Sequence, residues 1–411
     1  MEGITGSVVG RALARPFLFA LYLLSGVIPR DRDLWVFGSW GGHRYADNAA
    51  AFFAHCSRRS DLDQRLVWIS RDLAVVKRLR AEGHEAHLAW SPRGIWRAVR
   101  AEVFLFDCFS KDINFWLSKG ATKVNLWSGV PLKVFERDID VRDNRYYRLF
   151  HGKPWERLLY GAMMPWHLVR PDMLIATSET TAAITRRAFD VDDEAVVVTG
   201  FPRNDAMIRV AAGSPPLPLV EGVHSPIISA YRAGETTFLY LPTFRDSAKP
   251  FLTIDWDRLH ALMEELNARF FIKFHPVDAT AFEHETDRIV QLYQDTDVYD
   301  ILPFTTALIS DYSSVIFDYM LLDRPIVYFV PDLQEFATSS RSLLFDPSEI
   351  AVGPLCTDLD ELLAALGTVA SDRAAPIDPE HRASVTVMLH SHSDDKSCDR
   401  VMDALQFLIR R

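Results

Sequence analysis

Side chains that can handle phosphate gather, in this sequence, where apolar runs stop. The run "TALISD" (306–311) ends at Asp311 and gives way to "YSSVIFDYM", with Ser313 and Ser314 ahead of a helix-like segment and Asp318 four residues past Ser314. A helix start leaves backbone N–H groups unpaired and carries a partial positive charge. Two hydroxyls at that point make a cradle for a phosphate. Asp318 falls on the same helical face as Ser314, where a carboxylate can accept from ribose hydroxyls. Plain capping explains the same residues without a ligand, and the local sequence leaves both readings open. "RFFIKFHP" (269–276) ends on His275 and Pro276, with Lys273 alternating onto the same sheet face as His275. An imidazole there can donate to a phosphate oxygen or move a proton near neutral pH. A lone strand-end histidine is more often a satisfied side chain. "TGFPRND" (199–205) offers Arg203 and Asn204, and "YLPTFRD" (240–246) offers Thr243 and Arg245. Each arginine can clamp a phosphate with paired hydrogen bonds or pair with its neighbouring aspartate. "KVNLWSGVPLK" (123–133) stops at Ser128-Gly129 and supplies Lys133 as a fixed positive charge. Ser128 has no usable proton affinity near neutral pH, and no His-Asp pair lies nearby in sequence to make it a nucleophile.

These groups need elements to hold them. Strand-like runs alternate with helix-like runs. The strand candidates are "RLVWIS", "EAHLAW", "EVFLFD", "TKVNLW", "MLIATS" and "AVVVTG", then "TTFLYLPT", "RFFIKFHP", "VYDIL", "TALISD" and "PIVYFVPD". "WDRLHALMEELNA" (256–268) has helical spacing. Alternation of this kind predicts parallel sheets covered by helices on both faces, and near-continuous apolar strands agree. A chain of 411 residues exceeds one ordinary core. The Pro- and Gly-bearing stretch near 211–235 reads as a linker. The expected organisation is an N-terminal segment 1–32, a Rossmann-like domain 33–212, a linker 213–234 and a second Rossmann-like domain 235–411. The polar residues cluster at strand C-terminal ends, where open α/β sheets bind ligands. Two such edges facing a central cleft would make one composite site.

Bulk properties narrow the partners. The formal net charge is -10, which argues against a nucleic-acid partner. Four scattered cysteines without a CxxC pair suit a reducing, cytoplasmic compartment and suggest no zinc site. The triplets "DID" (138–140) and "DLD" (358–360) are too common to indicate a metal. Arg11 and Arg15 precede the apolar run Phe17–Ile28, and Arg30 and Arg32 follow it. The run is short for a span. It suits anchoring at an anionic membrane surface, with an ordinary buried helix as the alternative. In 141–172, arginines alternate with tyrosines and tryptophans, which suits a headgroup layer or an anionic polymer. Nothing in the sequence signals an oligomeric state.

Taken in order, "WVFGSWGGHRYADNAAAFF" (35–53), "WSGVPLK", "TGFPRND", "YLPTFRD", "KFHP", "DYSSVIFDYMLLDRPIVYF" and "DDKSCDR" (394–400) give the chain its resemblance to the CDP-glycerol glycerophosphotransferases, over about residues 35–400. The resemblance implies a GT-B-type fold and no cofactor. It implies a CDP-activated polyol donor on the C-terminal domain, held by Ser313, Ser314, Asp318, Asp311, Arg245, Thr243 and Lys273, with His275 and Lys133 at the chemistry. It further implies a lipid-linked or polymeric acceptor, peripheral attachment to the cytoplasmic face of the membrane, and a role in teichoic-acid or capsule-type polymer synthesis. Arg203, Asn204, His43 and Asp47 fall to the acceptor side. The family pattern Trp-His-Gly-x-Pro-Leu-Lys has its base histidine where this chain has Ser128. Three explanations compete: His43 or Asp47 replaces the base; the acceptor needs little activation, since phosphoryl transfer runs largely on positioning; or the chain is a weakened homologue or an engineered knock-out. A sugar-nucleotide glycosyltransferase and a non-catalytic binding homologue are the rival functions.

Overall fold

A computed structural model describes residues 8–215, 226–243, 253–274, 282–293, 296–333, 343–372 and 378–410, with side chains from residue 14 onward. It forms two compact α/β units. One comprises Met1–Ser128, Phe135–Arg203 and Lys396–Arg411; the other comprises Gly129–Val134 and Asn204–Asp395.

The first unit holds β1 (Asp31–Gly38), β2 (Arg65–Ser70), β3 (Ala86–Leu88), β4 (Ala101–Phe106), β5 (Thr122–Asn125), β6 (Met173–Ala176) and β7 (Val196–Val198). Their order is β3-β2-β1-β4-β5-β6-β7, every pairing parallel. Strand order reverses between β1 and β4. The second unit holds β8 (Thr236–Leu241), β9 (Ala268–Ile272), β10 (Ile289–Gln291), β11 (Ala307–Ser310), β12 (Ile326–Phe329) and β13 (Leu355–Cys356). Their order is β10-β9-β8-β11-β12-β13, again all parallel, reversing between β8 and β11. These are two Rossmann-like sheets of a GT-B-type fold, as expected. Continuous apolar strands sit inside both: Phe238, Phe270 and Ile309 are buried in one core, Val36, Val67 and Phe104 in the other.

Several elements differ from the sequence reading. "VYDIL" is not a strand but the short helix Val298–Ile301. Asp297 caps it, its carboxylate accepting from the Tyr299 N–H at 3.0 Å, and this local bond outweighs the β propensity of the run. Strand β1, interior to its sheet, and β10 and β13, the two edges of the second sheet, were not among the candidates. The helix in 256–268 is Trp256–Glu265. Asn267 takes φ 46, and Ala268 already begins β9.

The termini also group differently from the boundaries above. Helix Ser397–Arg410 joins the first unit rather than the second. Val401, Met402 and Leu405 are buried, and the Arg400 Nε donates to the Thr199 carbonyl at 2.8 Å. Helix Val8–Ser25 rests on the first unit through Tyr22 stacked on Phe115 at 4.7 Å and Phe19 edge-on to Trp116 at 5.3 Å. No helix of the described residues is long and apolar enough to cross a membrane.

Gly353 sits against β12 so closely that a Cβ would lie 1.8 Å from the Ile326 carbonyl oxygen. The backbone would have to move. Gly353→Ala is expected to lower unfolding free energy by about 3 kcal/mol, the upper range for overpacking. A shift in the urea midpoint followed by tryptophan fluorescence checks it.

Candidate active site

In the second unit the switch point lies between the ends of β8 and β11. Asp311, one residue past β11, bridges them. Its carboxylate accepts from the Thr243 N–H at 3.0 and 3.1 Å, from the Thr243 hydroxyl, and from the Tyr312 N–H at 2.7 Å. The Ser310 hydroxyl donates to the Leu241 carbonyl at 2.7 Å. Asp311 is buried and serves the turn. Lys273 follows β9 on the same edge, buried, with its N–H on the Tyr240 carbonyl at 3.0 Å.

Past Asp311, the helix is Val315–Met320, less than two turns, starting later than the sequence suggested. Ser314 stands at its N-cap with φ -65, and its side chain makes no capping bond. Capping therefore does not account for this serine. Ser313 and Ser314 are both half-buried. Asp318 departs from expectation. It is fully buried, with Asn204 Nδ2 donating to Oδ1 at 2.9 Å and the Tyr299 hydroxyl donating to Oδ2 at 2.6 Å. The short helix turns residue 318 to the interior, so Asp318 anchors the helix instead of meeting ribose hydroxyls. Asn204, expected on the acceptor side, gives its Nδ2 to that anchor. Arg245 and His275 lie outside the described residues.

The corresponding edge of the first unit is built around Arg203. Its Nη1 donates to Asp47 Oδ1 at 2.5 Å and to the Ser128 carbonyl at 2.6 Å. Its guanidinium lies 5.2 Å from the Phe201 ring centre. Asn48 accepts from the Arg203 N–H at 3.1 Å and donates to the carbonyls of Leu126 and Trp127 at 3.0 and 2.8 Å. Arg203 and Asp47 are both only 5% exposed at the side chain, so the pair is a buried brace. Asp47 is among its partners.

Ser128 is half-buried, with the Cys108 Sγ donating toward its hydroxyl at 3.7 Å. Burial, together with Asp112 and Asp107, pushes the Cys108 thiol well up, so it stays protonated. Asp107 is fully buried, and its Oδ1 accepts from the Ala49 N–H at 2.7 Å. Desolvation, then the charges of Asp47 and Asp112, raise its carboxyl well above the ordinary range. Burial raises Asp112 as well, against the N–H groups of Cys108 and Gly41 at 3.0 and 2.9 Å. His43 is exposed. Its loop is pinned by an antiparallel bridge between Ser39 and Arg44, and the Gly42 carbonyl accepts from the Ser70 hydroxyl at 2.7 Å. β1, β4 and β5 are neighbours, which places the two strand ends bearing His43 and Ser128 roughly 10 Å apart at ordinary strand spacing. Lys133, grouped with the second unit, is bridged to Leu343, and the Leu344 N–H donates to the Leu132 carbonyl at 2.9 Å.

The structure thus brings Thr243, Lys273, Asp311, Ser313 and Ser314 to one strand edge. His43, Asp47, Arg203 and Ser128 share the other. Asn48, Asp107 and Tyr299 escaped sequence reasoning. Asn48 stood in a quoted motif, beside Asp47, as its only signal. Among the described residues no cluster of three or more His, Cys, Asp or Glu could hold a metal ion.

Residues 20–406 match the family model described as CDP-Glycerol:Poly(glycerophosphate) glycerophosphotransferase. The chain belongs to that family. Its relatives include a teichoic acid poly(glycerol phosphate) polymerase of Bacillus subtilis, 25% identical across 86% of this chain and 46% of its own length. A teichoic acid glycerol-phosphate transferase of Staphylococcus aureus is 23% identical across 85% of this chain and 87% of its own. The chain therefore spans about half of the first relative and most of the second. The wall teichoic acid polymerase TagF, solved as an H548A variant, superposes with a TM-score of 0.75 at 19% identity over 97% of this chain and 96% of that one. At that identity the likeness speaks to fold alone, and it supports the GT-B-type assignment.

Asp107 gives a pH prediction. Its folded-state pKa is raised, so the native state keeps a proton that the unfolded chain has already released. Stability therefore falls as pH rises from about 4, the unfolded value, toward the folded one. Asp107→Asn keeps an oxygen for the Ala49 N–H and should flatten that slope, matching or exceeding wild type at pH 8. Urea midpoints at pH 5 and pH 8 for both proteins check it.

Proposed function

We propose that this protein transfers a polyol phosphate, glycerol phosphate foremost, from a CDP-linked donor to a hydroxyl of a membrane-associated acceptor. The acceptor oxygen bonds to the phosphorus nearer the polyol, the bond from that phosphorus to the pyrophosphate bridge breaks, and CMP departs. The hydroxyl proton passes to a base. The observation that carries the reading is the switch point of the second sheet. There, Asp311 fixes the Thr243 turn and Ser314 brings a hydroxyl that caps nothing, on an edge that also holds Ser313 and Lys273. Hydroxyls, backbone N–H groups and a fixed cation suit an anionic diphosphate. Family membership supplies the donor class.

On the acceptor side, Asp47 Oδ1 is taken by Arg203, which leaves the exposed His43 as the better-supplied imidazole for the proton. Membrane attachment is supported by exposed Phe17 and Leu24 on the N-terminal helix and Leu158 and Leu159 on helix Pro154–Met163. The Arg15 Nη2 donates to the Met163 carbonyl at 2.7 Å and ties the two helices together. An apolar strip of this kind, rimmed by arginines, buries into a headgroup boundary without spanning it. The site of action is then the cytoplasmic face of the membrane.

The test is CMP release from a panel of CDP-glycerol, CDP-ribitol and UDP-sugars with a lipid-linked acceptor in detergent. Release from a CDP-polyol is expected, with UDP-sugars inert. His43→Ala should slow turnover by about 10²-fold or more, the contribution of a general base. Ser128→His should raise turnover. Absence of turnover in both wild type and Ser128→His would instead identify a binding homologue.

A further inference from the structure

Three loops leave the carboxyl ends of the neighbouring strands β2, β1 and β4, all within Met1–Ser128 of the first unit. Strand order reverses between β1 and β4, so these loops flank that sheet's switch point, where open α/β sheets take ligands. The β1 loop displays Trp40, 52% exposed, and the exposed His43 and Arg44. Trp40, Gly41 and Gly42 are all left-handed, at φ 48, 65 and 85. A bulky aromatic residue holds that conformation only where its surroundings over-determine it, and such residues gather at binding sites. Here Asp112, from the β4 loop, accepts from the Gly41 N–H on Oδ1 at 2.9 Å and from the Cys108 N–H on Oδ2 at 3.0 Å. The Gly42 carbonyl accepts from the Ser70 hydroxyl at 2.7 Å and from the Arg71 N–H at 2.6 Å. A Cβ on Gly41 would lie 3.6 Å from His43 Cδ2. The loop is thus fastened to both of its neighbours, with the His43 ring laid against it.

The side chains it presents are cationic or aromatic. The Arg44 guanidinium lies 5.8 Å from the Trp40 ring centre and has no carboxylate partner among the described residues. Exposed Arg71 runs beside Gly42, and its Nη2 donates to the Lys111 carbonyl at 3.2 Å. The carboxylates of the same loops are engaged elsewhere: Asp47 on Arg203, Asp112 on backbone N–H groups, and Asp72 on the Ala74 N–H at 2.7 Å. In a chain of net charge -10, this is a local excess of positive charge. We infer that Trp40, Arg44 and Arg71 form a subsite for a phosphodiester of the acceptor and hold it beside His43. Guanidinium N–H groups fit its oxygens, and the ring gives the polyol carbons an apolar face. The acceptor then already carries phosphate, so an earlier phosphodiester-forming transfer must supply it. The inference rests on the transferase reading for calling this ligand the acceptor, and on the patch alone for its anionic chemistry.

A calorimetric titration of the full chain with a short soluble glycerol phosphate oligomer tests the subsite without turnover. The oligomer should bind, free glycerol should not, and added salt should weaken binding. Arg44→Ala should weaken it about tenfold or more, the worth of one charged hydrogen bond. Trp40→Gly suits the left-handed backbone, so it should keep the wild-type thermal midpoint while weakening binding severalfold. In steady-state CMP release, both variants should raise acceptor KM and leave donor KM unchanged. Failure of the wild type to bind the oligomer, or equal binding by Arg44→Ala, would overturn the subsite. A loss in Arg44→Ala confined to phosphatidylglycerol vesicles would assign the patch to membrane headgroups instead, and a rise in donor KM would remove it from the acceptor side. Wild-type protein that releases no CMP would sink the transferase reading, while the titration would still decide the patch.

Discussion

One carboxylate sets the geometry of the second sheet's switch point. Asp311 lies where strand order reverses in the second sheet, and it satisfies the backbone of the Thr243 turn and of its own successor at once. In a parallel sheet covered on both faces, the interior strands leave polar backbone groups outside the ladder only at their ends. At a switch point the neighbouring loops also diverge and open a crevice. Satisfying the turn from within frees the following hydroxyls. Ser314 caps nothing, and the turn needs neither serine. The proposed phosphate site follows from that division of labour.

The first sheet solves the same problem with a different set of residues. Asn48 and Arg203 between them take the carbonyls of Leu126, Trp127 and Ser128. Burying a guanidinium requires a counter-charge, and Asp47 supplies it. The second carboxylate nearby, Asp107, is then pushed toward its neutral form. Ser128 sits at the end of this braced strand with a protonated thiol beside it.

Much of this was legible in the sequence. Alternating apolar runs gave the parallel α/β character, and the polar residues at their ends marked the binding edges. Asp311 and Thr243 were picked out by type and place, but not as partners of each other. That distinction depends on which oxygen is already occupied, which spacing does not encode. Asp318 and Arg203 show the same limit. Each looked like a ligand group, and each is buried on a partner far away in sequence, Asn204 at 114 positions and Asp47 at 156. "VYDIL" failed for a local reason, because the Asp297 cap decided a four-residue segment against its β propensity.

The central claim is that a CDP-linked donor sits at the carboxyl ends of β8, β9 and β11. Backbone hydrogen exchange with and without saturating CDP-glycerol tests it most directly. The account predicts slowed exchange confined to residues about 242–246, 273–276 and 311–315. Protection at the opposite edge of that sheet, or none anywhere, would contradict it.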